Sequence, residues 1–251
     1  MGDLLTMSDN GGRPAFYAAS RGRWRDWWTL LHPPYTAWHL SYVAIGSALA
    51  PRLDLERFAA IMVAFFLGLG ISAHALDELN DRPLRTRIPD RTLQAAAALG
   101  LVGAVTLGIW GTTRIGPELL PFIAVAVFAV LAYNLEWFGG RFHTDAAFAA
   151  FWGALPVLAG YFVQAERIDI VAVMGAAAAY GLSAAQRILS SRARFIRRKV
   201  SQARVELKLE DGTSRDMNKD ELLLPFDLAL HTLSWSMVVL GAALVAVRIA
   251  S

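Results

Sequence analysis

Seven long stretches of apolar residues recur along the chain, separated by short polar segments. Their approximate positions are 35–50, 57–76, 92–110, 118–135, 145–164, 168–186 and 226–248. A helix needs about 20 apolar residues to cross the hydrocarbon core of a bilayer, and these stretches approach or reach that length. The pattern therefore predicts an all-α fold, a polytopic transmembrane bundle of about seven helices.

The polar residues fall mainly in an N-terminal arm and in one late insert. Residues 1–30 form the arm, of which 1–20 are expected to be disordered, and residues 31–251 form the bundle. The arm ends in alternating Arg and Trp residues over 21–28. Because indole and guanidinium groups favour the headgroup region, this stretch predicts a helix on the membrane surface rather than a nucleic-acid interface.

The insert, residues 187–224, is expected to lie outside the membrane. It begins as a basic helical extension. From Val205 to Glu210 apolar and polar residues alternate, and Asp211-Gly212 follows. Alternation leading into a tight turn predicts a small β-hairpin.

Composition agrees with a membrane protein and excludes some chemistry. Hydrophobic residues make up 55% of the 251 residues and charged residues 18%, whereas soluble domains carry roughly 25% charge. Mean hydropathy is +0.40. The chain has no cysteine, which excludes disulfides, thiolate catalysis and cysteine-based metal sites.

Basic residues are distributed unequally between the two sides of the predicted bundle. Most of the 24 Lys and Arg residues fall in the arm, in the 77–91 loop, at Arg141 and in the 187–219 segment, all on one side. Positively charged loops stay in the cytoplasm. We therefore expect a cell (inner) membrane protein with a cytoplasmic N-terminus and an external C-terminus, surrounded by membrane lipid.

Candidate chemistry begins at the end of the second apolar stretch. Asp77 and Asp81 are four residues apart, so both carboxylates would share a face if one helix continued through them. Such a pair can hold Mg²⁺, and Arg82, Arg85 and Arg87 follow with groups suited to phosphate. The alternative interpretation is a solvated loop whose arginines only enforce topology.

The next polar turn, on the same side, adds further candidates. Glu136, His143 and Asp145 can supply a third acid or a general base. Asn134 and Glu136 lie where their helix should still be partly in the membrane. Asp145 is most simply interpreted as an N-terminal helix cap. Asp227 and His231 of the last helix also share a face, as hydrogen-bonding partners or as site residues.

Three stretches resemble the UbiA-type intramembrane prenyltransferase superfamily. They are Leu31–Pro34 before the first helix, Asp77–Leu84 with its Arg-Pro-Leu ending, and Tyr133-Asn134 followed by the 146–161 helix. Their order and spacing are similar to the family's over about residues 30–186. The second stretch is the most specific of the three.

The resemblance implies a helical bundle with a lateral tunnel and Mg²⁺-dependent ionisation of a polyprenyl diphosphate. A lipophilic acceptor would then attack the allylic cation. The implied metal ligands are Asp77 and Asp81. Candidate catalytic residues are Asp77, Asp81, Tyr133, Asn134 and Glu136, and candidate substrate-binding residues are His74, Arg82, Arg85, Arg87, Asp145 and Arg187.

Two departures from the family pattern leave alternatives open. The second acidic motif is replaced by a basic stretch, residues 186–194, and one helix follows where the family has three. Glu136, Asp145 or Asp227 could substitute, or arginines could bind the phosphate with one metal. A terpene cyclase and a non-catalytic lipid- or partner-binding protein that docks through 187–224 are the alternative functions, and a homo-oligomer is compatible with each.

A transporter is disfavoured. Its charged residues should line a path at the bilayer midplane, whereas here they gather on one side. The sequence also contains no evident inverted repeat.

Overall fold

The structure, a computed structural model, describes Tyr17 and residues 22–250, and most of these residues are helical. The helices are α1 (Arg23–Leu30), α2 (Pro33–Leu49), α3 (Leu55–Phe65), α4 (His74–Leu79), α5 (Asp90–Ile115), α6 (Leu120–Asn134), α7 (Trp137–Gly140), α8 (Asp145–Ala149), α9 (Leu155–Ala165), α10 (Ile170–Lys199) and α11 (Lys219–Ala250). Two π-helical segments, Phe66–Ala73 and Ala150–Ala154, join α3 to α4 and α8 to α9, and a 3₁₀ turn, Pro117–Leu119, precedes α6.

Five helices in the described part of the chain are long and apolar enough to cross a membrane. They are Leu55–Leu79, Asp90–Ile115, Pro117–Asn134, Asp145–Ala165 and Lys219–Ala250. The other two predicted spans coincide with α2, which has 17 residues, and with α10, which ends in a basic turn. The helical membrane architecture is confirmed to this extent, while the number of crossings and the sides of the termini stay predictions.

The arm and the insert show helix and strand near their predicted positions. Helix α1 covers most of the Arg/Trp stretch, and the predicted disorder of 1–20 falls on residues that, apart from Tyr17, lie outside the described ones. The hairpin is confirmed. Its strands are β1 (Arg204–Lys208) and β2 (Ser214–Asn218), antiparallel, with Arg204 opposite Asn218.

Helix α2 lies against α9 at a distance that only glycine permits. A Cβ atom at Gly46 would lie 2.2 Å from the carbonyl oxygen of Val157, and one at Gly160 would lie 2.4 Å from that of Val43. In lipid, small residues let helix backbones approach and pack by dispersion. The two glycines therefore set the separation of these helices.

Polar contacts tie α2 to α10 as well. The Trp38 indole N–H donates to the Tyr42 hydroxyl at 2.6 Å, and Ser183 of α10 donates to the same oxygen at 3.2 Å. Both aromatic side chains are fully buried. Helix α2 is thus the central element against which α9, α10 and α11 pack.

The second π-helical segment carries a backbone carbonyl that lacks its usual helical donor. Pro156 has no N–H, so the carbonyl of Trp152, four residues earlier, cannot receive the α-helical hydrogen bond from that position. Nδ1 of His39 lies 2.8 Å from this oxygen. A carbonyl only accepts hydrogen bonds, so this contact requires a proton on Nδ1 and a bare Nε2. The contact fixes Trp152 to α2.

This compensation predicts energetic coupling between His39 and Pro156. We expect His39→Leu to lower stability, because it removes the hydrogen bond that Nδ1 donates to the buried Trp152 carbonyl. In a Pro156→Ala background the new N–H can satisfy that carbonyl, so the same substitution should cost about 1 kcal/mol less. Unfolding of the four proteins in mixed micelles measures the coupling. An equal cost of His39→Leu in both backgrounds would contradict this account.

Candidate functional site

A polar chamber of about 310 Å³ lies where the ends of α2, α4, α6 and α10 meet. Four of the five histidines and four arginines of α10 line it. Asp77 is the single carboxylate among its lining residues. The chamber is therefore basic, and it lies inside the bundle rather than on its surface.

The arginines of the chamber belong to one face of α10. Arg187 pairs with Asp145 at 2.7 Å, and Arg197 pairs with Asp227 at 2.5 Å. Arg194 donates to the Ser191 hydroxyl at 3.2 Å and pairs with no carboxylate of the described chain. Arginine thus occupies the place where the second acidic motif was expected.

The two predicted metal ligands are separated by the end of their helix. Helix α4 ends at Leu79, and Asp81 follows with a φ of 64° and an exposed side chain. The expectation that one continuous helix carries both carboxylates is therefore wrong. Asp77 lines the chamber, whereas Asp81 is not among its lining residues.

This donor set lacks the pair of carboxylates on which the expected magnesium site is based. Mg²⁺ in phosphate-binding enzymes is held by one or two carboxylates together with substrate oxygens and water. The chamber supplies one carboxylate facing several guanidinium groups. Nowhere in the described residues do three His, Asp or Glu side chains gather in a way that could hold a metal ion.

The predicted phosphate-binding arginines of the 80–89 loop do not line the chamber. Arg82 pairs with Asp90 and donates to the Ile88 carbonyl at 2.7 Å. Arg85 and Arg87 are exposed, and Arg85 has a φ of 55°. Arg82 therefore holds the loop together, while Arg85 and Arg87 face outward.

The loop is also held by a residue that sequence reasoning missed. Glu78 is fully buried, and its carboxylate accepts hydrogen bonds from the backbone N–H groups of Leu84 and Thr86 and from the Thr86 hydroxyl, at 2.8–2.9 Å. These contacts fold the loop back against α4. The only signal of Glu78 in the sequence is an acidic residue near the end of an apolar helix. Asp77 gives the same signal, so the sequence does not distinguish the two residues.

Tyr133 and Asn134 line the chamber, while Glu136 lies outside it. Tyr133 stacks on His143 with ring centroids 4.5 Å apart, and Asn134 donates to the Val130 carbonyl at 2.7 Å. The Glu136 carboxylate is about half exposed and lies 3.9 Å from Nδ1 of His143. Glu136 can therefore act on the chamber only through His143.

The helix cap assigned to Asp145 is wrong. Thr144 caps α8, because its hydroxyl accepts the hydrogen bond from the Ala147 N–H at 3.1 Å. Asp145 is the next residue, and its carboxylate pairs with Arg187 instead. Asp145 thereby helps to position an arginine of the chamber.

Three chamber histidines share one tautomer. Nδ1 of His39, His74 and His143 lies 2.8–3.0 Å from the backbone carbonyls of Trp152, Gly70 and Tyr133, respectively. Each Nδ1 must therefore carry the proton when the ring is neutral, which leaves each Nε2 as an acceptor. Sequence reasoning selected His74 and His143 of the three as candidate site residues.

His32 completes the histidine group. Its ring stacks on that of His74 with centroids 4.3 Å apart. Burial, with the nearby His74, Arg194 and Arg198, holds the pKa of His32 well below its usual range, so this imidazole is neutral. Near neutral pH His32 adds no positive charge to the chamber.

Three buried polar atoms that belong to residues of the chamber lining lack hydrogen-bond partners among the described residues. They are Nε2 of His32, the hydroxyl of Tyr133 and Oε1 of Gln186. Buried polar groups are nearly always paired in native proteins, with protein, water or ligand. Three such atoms in one basic cavity are what a polar occupant would satisfy.

An apolar groove of about 240 Å³ adjoins the chamber. It lies between α3, α5, α6 and α9. Leu69 and Trp152, one from each π-helical segment, line both cavities and form their common boundary. At its far end the groove meets the ion pairs Arg57–Glu166 and Arg114–Glu56.

No family model, no curated protein and no solved structure matches the chain. The resemblance to UbiA-type prenyltransferases thus stays a prediction carried by its three sequence stretches. All three contribute to one cavity, since His32, Asp77, Pro83 and Tyr133 line the chamber together.

The buried carboxylate of Glu78 yields a test of the loop. In Glu78→Gln an amide NH₂ replaces one acceptor oxygen and faces backbone donors, which should cost about 1–3 kcal/mol of stability. Tryptic cleavage after the exposed Arg85 and Arg87 should become faster. The exposed Glu136→Gln is the matched control. Equal cleavage rates in the two variants would show that Glu78 does not hold the loop.

Proposed function

We propose that this chain is a membrane prenyltransferase-like enzyme that transfers a prenyl group from a polyprenyl diphosphate to a lipophilic acceptor. The observation that carries the proposal is the junction of a basic chamber with an apolar groove at Leu69 and Trp152. A polyprenyl diphosphate has the same division into an anionic headgroup and an apolar chain. The reacting carbon would then lie at the boundary of the two cavities.

The groove suits the chain of such a substrate. Its walls are apolar, and it runs from the chamber boundary at Leu69 toward Arg57 and Arg114. Moving hydrocarbon from water into such a groove is favourable by roughly 25 cal/mol per Å². The ion pairs at the far end would stop a longer chain, because breaking them exposes charges to an apolar group.

The transfer needs three events at the boundary. The bond between the allylic carbon and the diphosphate oxygen breaks, and its electron pair leaves with the diphosphate. The acceptor's nucleophilic atom forms a new bond to that carbon and loses its proton. Asp77 and Nε2 of His74 are two groups of the chamber that can take this proton.

Aromatic residues suit the charge that develops on the carbon. Trp152 borders both cavities and packs edge-to-face with Tyr133 at 5.7 Å. The faces of aromatic rings attract cations by about 0.5–2 kcal/mol each. The apolar groove also keeps water from a cation that it would quench.

A non-catalytic lipid-binding protein is the second candidate. The observation in its favour is that Asp77 is the single carboxylate among the chamber's lining residues, without a second acidic residue beside it. Both functions require binding of a lipid diphosphate. Only the enzyme releases pyrophosphate.

The two aspartates of the predicted motif should behave differently. Asp77→Asn should lower the rate of pyrophosphate release by about 10²-fold or more, because Asp77 faces the reacting group. Asp81→Asn should leave the rate within about twofold, since its side chain is exposed outside the chamber. Purified protein is assayed with allylic diphosphates of several chain lengths and lipophilic acceptors. Binding without pyrophosphate release would favour the non-catalytic alternative, and no binding would reject both.

The groove can be tested by filling it. Ala126 of α6 lines the groove, while its neighbour Val125 is 43% exposed and does not. We expect Ala126→Trp to weaken the binding of long-chain diphosphates by about tenfold or more, because the indole occupies the volume of the chain. The binding of a five-carbon diphosphate should be unaffected. Val125→Trp is the matched control. If each of the two variants binds long-chain and five-carbon diphosphates with the affinity of the unaltered protein, the groove does not hold the chain.

A further inference from the structure

Helix α10 presents a row of guanidinium groups to the chamber. Arg187, Arg194 and Arg198 are separated by seven and four residues, which places them on one face of the helix, and Arg197 lies beside them. All four line the chamber. Together they form one basic wall opposite Asp77 on α4.

The charges of this wall are only partly balanced. Asp145 pairs with Arg187 and Asp227 pairs with Arg197, so these two arginines are neutralised locally. Asp77 is the remaining carboxylate among the lining residues, and it faces both Arg194 and Arg198. Among the described residues, Arg194 is the arginine of this wall that lines the chamber and forms no ion pair with a carboxylate.

The buried charge of Arg194 is costly, and this arginine cannot remove it by losing a proton. Burial lowers the pKa of Arg194, and the neighbouring Arg187 and Arg198 lower it further. A guanidinium nevertheless keeps its charge at any physiological pH. The cost is relieved when an anion enters the chamber, and a doubly charged anion relieves more of it than a singly charged one.

The guanidinium group of Arg194 matches the oxygens of a diphosphate. A guanidinium can donate two parallel hydrogen bonds to a phosphate, and such charge-assisted pairs are among the strongest in proteins. The Tyr133 hydroxyl, which lacks a partner among the described residues, can donate another. Magnesium, in contrast, would find one carboxylate and several repelling cations.

We propose that the guanidinium groups of α10, led by Arg194, bind the diphosphate headgroup of the lipid substrate without a divalent cation. The inference rests on the proposed function, since it concerns the headgroup of that same substrate. It assigns to permanent side-chain charges the neutralising role that the family resemblance gives to Mg²⁺. The chamber is then a specific site for a lipid anion and not for a metal complex.

The test measures lipid binding with and without metal. Full-length protein in phosphatidylcholine nanodiscs is titrated with geranylgeranyl thiolodiphosphate, an unreactive analogue, in EDTA and in excess Mg²⁺. We expect the two dissociation constants to agree within about threefold. Arg194→Gln should weaken binding by about tenfold or more in both media, equivalent to about 1.4 kcal/mol. Arg192→Gln, on the exposed side of the same helix, is the matched control and should bind as the unaltered protein does.

Two further measurements separate headgroup recognition from other causes. Ligand-free Arg194→Gln should unfold at the same temperature as the unaltered protein or higher, because the substitution removes a repelled charge; a clear decrease would make Arg194 structural and overturn the inference. Inorganic pyrophosphate should compete only at much higher concentration than the lipid analogue. If inorganic pyrophosphate competed as well as the lipid analogue, the site would bind a free anion rather than a lipid headgroup, and the inference would be overturned.

The outcomes for the inference and for the proposed function are distinct. Binding that requires Mg²⁺ would overturn the arginine assignment and leave the proposed function standing. Equal binding by the Arg194 and Arg192 variants would do the same. No binding of the unaltered protein in either medium would reject the proposed function, and the inference with it.

Discussion

The close contact between α2 and α9 is the constraint on which the site depends. Gly46 and Gly160 bring the two backbones together, and this proximity lets His39 reach the carbonyl of Trp152. A carbonyl left without its donor by Pro156 would be costly in hydrocarbon, so the histidine is needed where it stands. Trp152 is held by this bond at the boundary of the chamber and the groove.

Each of the two helical stretches that border both the chamber and the groove contains a π-helical segment. The segments Phe66–Ala73 and Ala150–Ala154 contribute Leu69 and Trp152, respectively. A π-turn adds a residue to the helical ring and rotates the side chains that follow, which is why such turns often occur at functional sites.

Apolar periodicity predicted the helices because lipid requires every backbone group to pair within its own segment. The details of the site depend on contacts that no local pattern contains. Glu78 turns inward because the distant N–H groups of Leu84 and Thr86 need an acceptor, and Arg187 is fixed by Asp145, 42 residues away. The same local sequence would allow Asp77 and Asp81 to share a helix face, which the end of α4 prevents.

Burial, and after it the basic surroundings, keep the imidazole of His32 neutral. A protonated imidazole beside the arginines of α10 would add to their repulsion, and the depressed pKa of His32 follows from that environment after burial. The hydrogen bonds from Nδ1 to backbone carbonyls leave Nε2 bare on three rings. Fixed cations and fixed proton acceptors are thereby combined in one cavity. An anionic leaving group and an acceptor that must lose a proton need both.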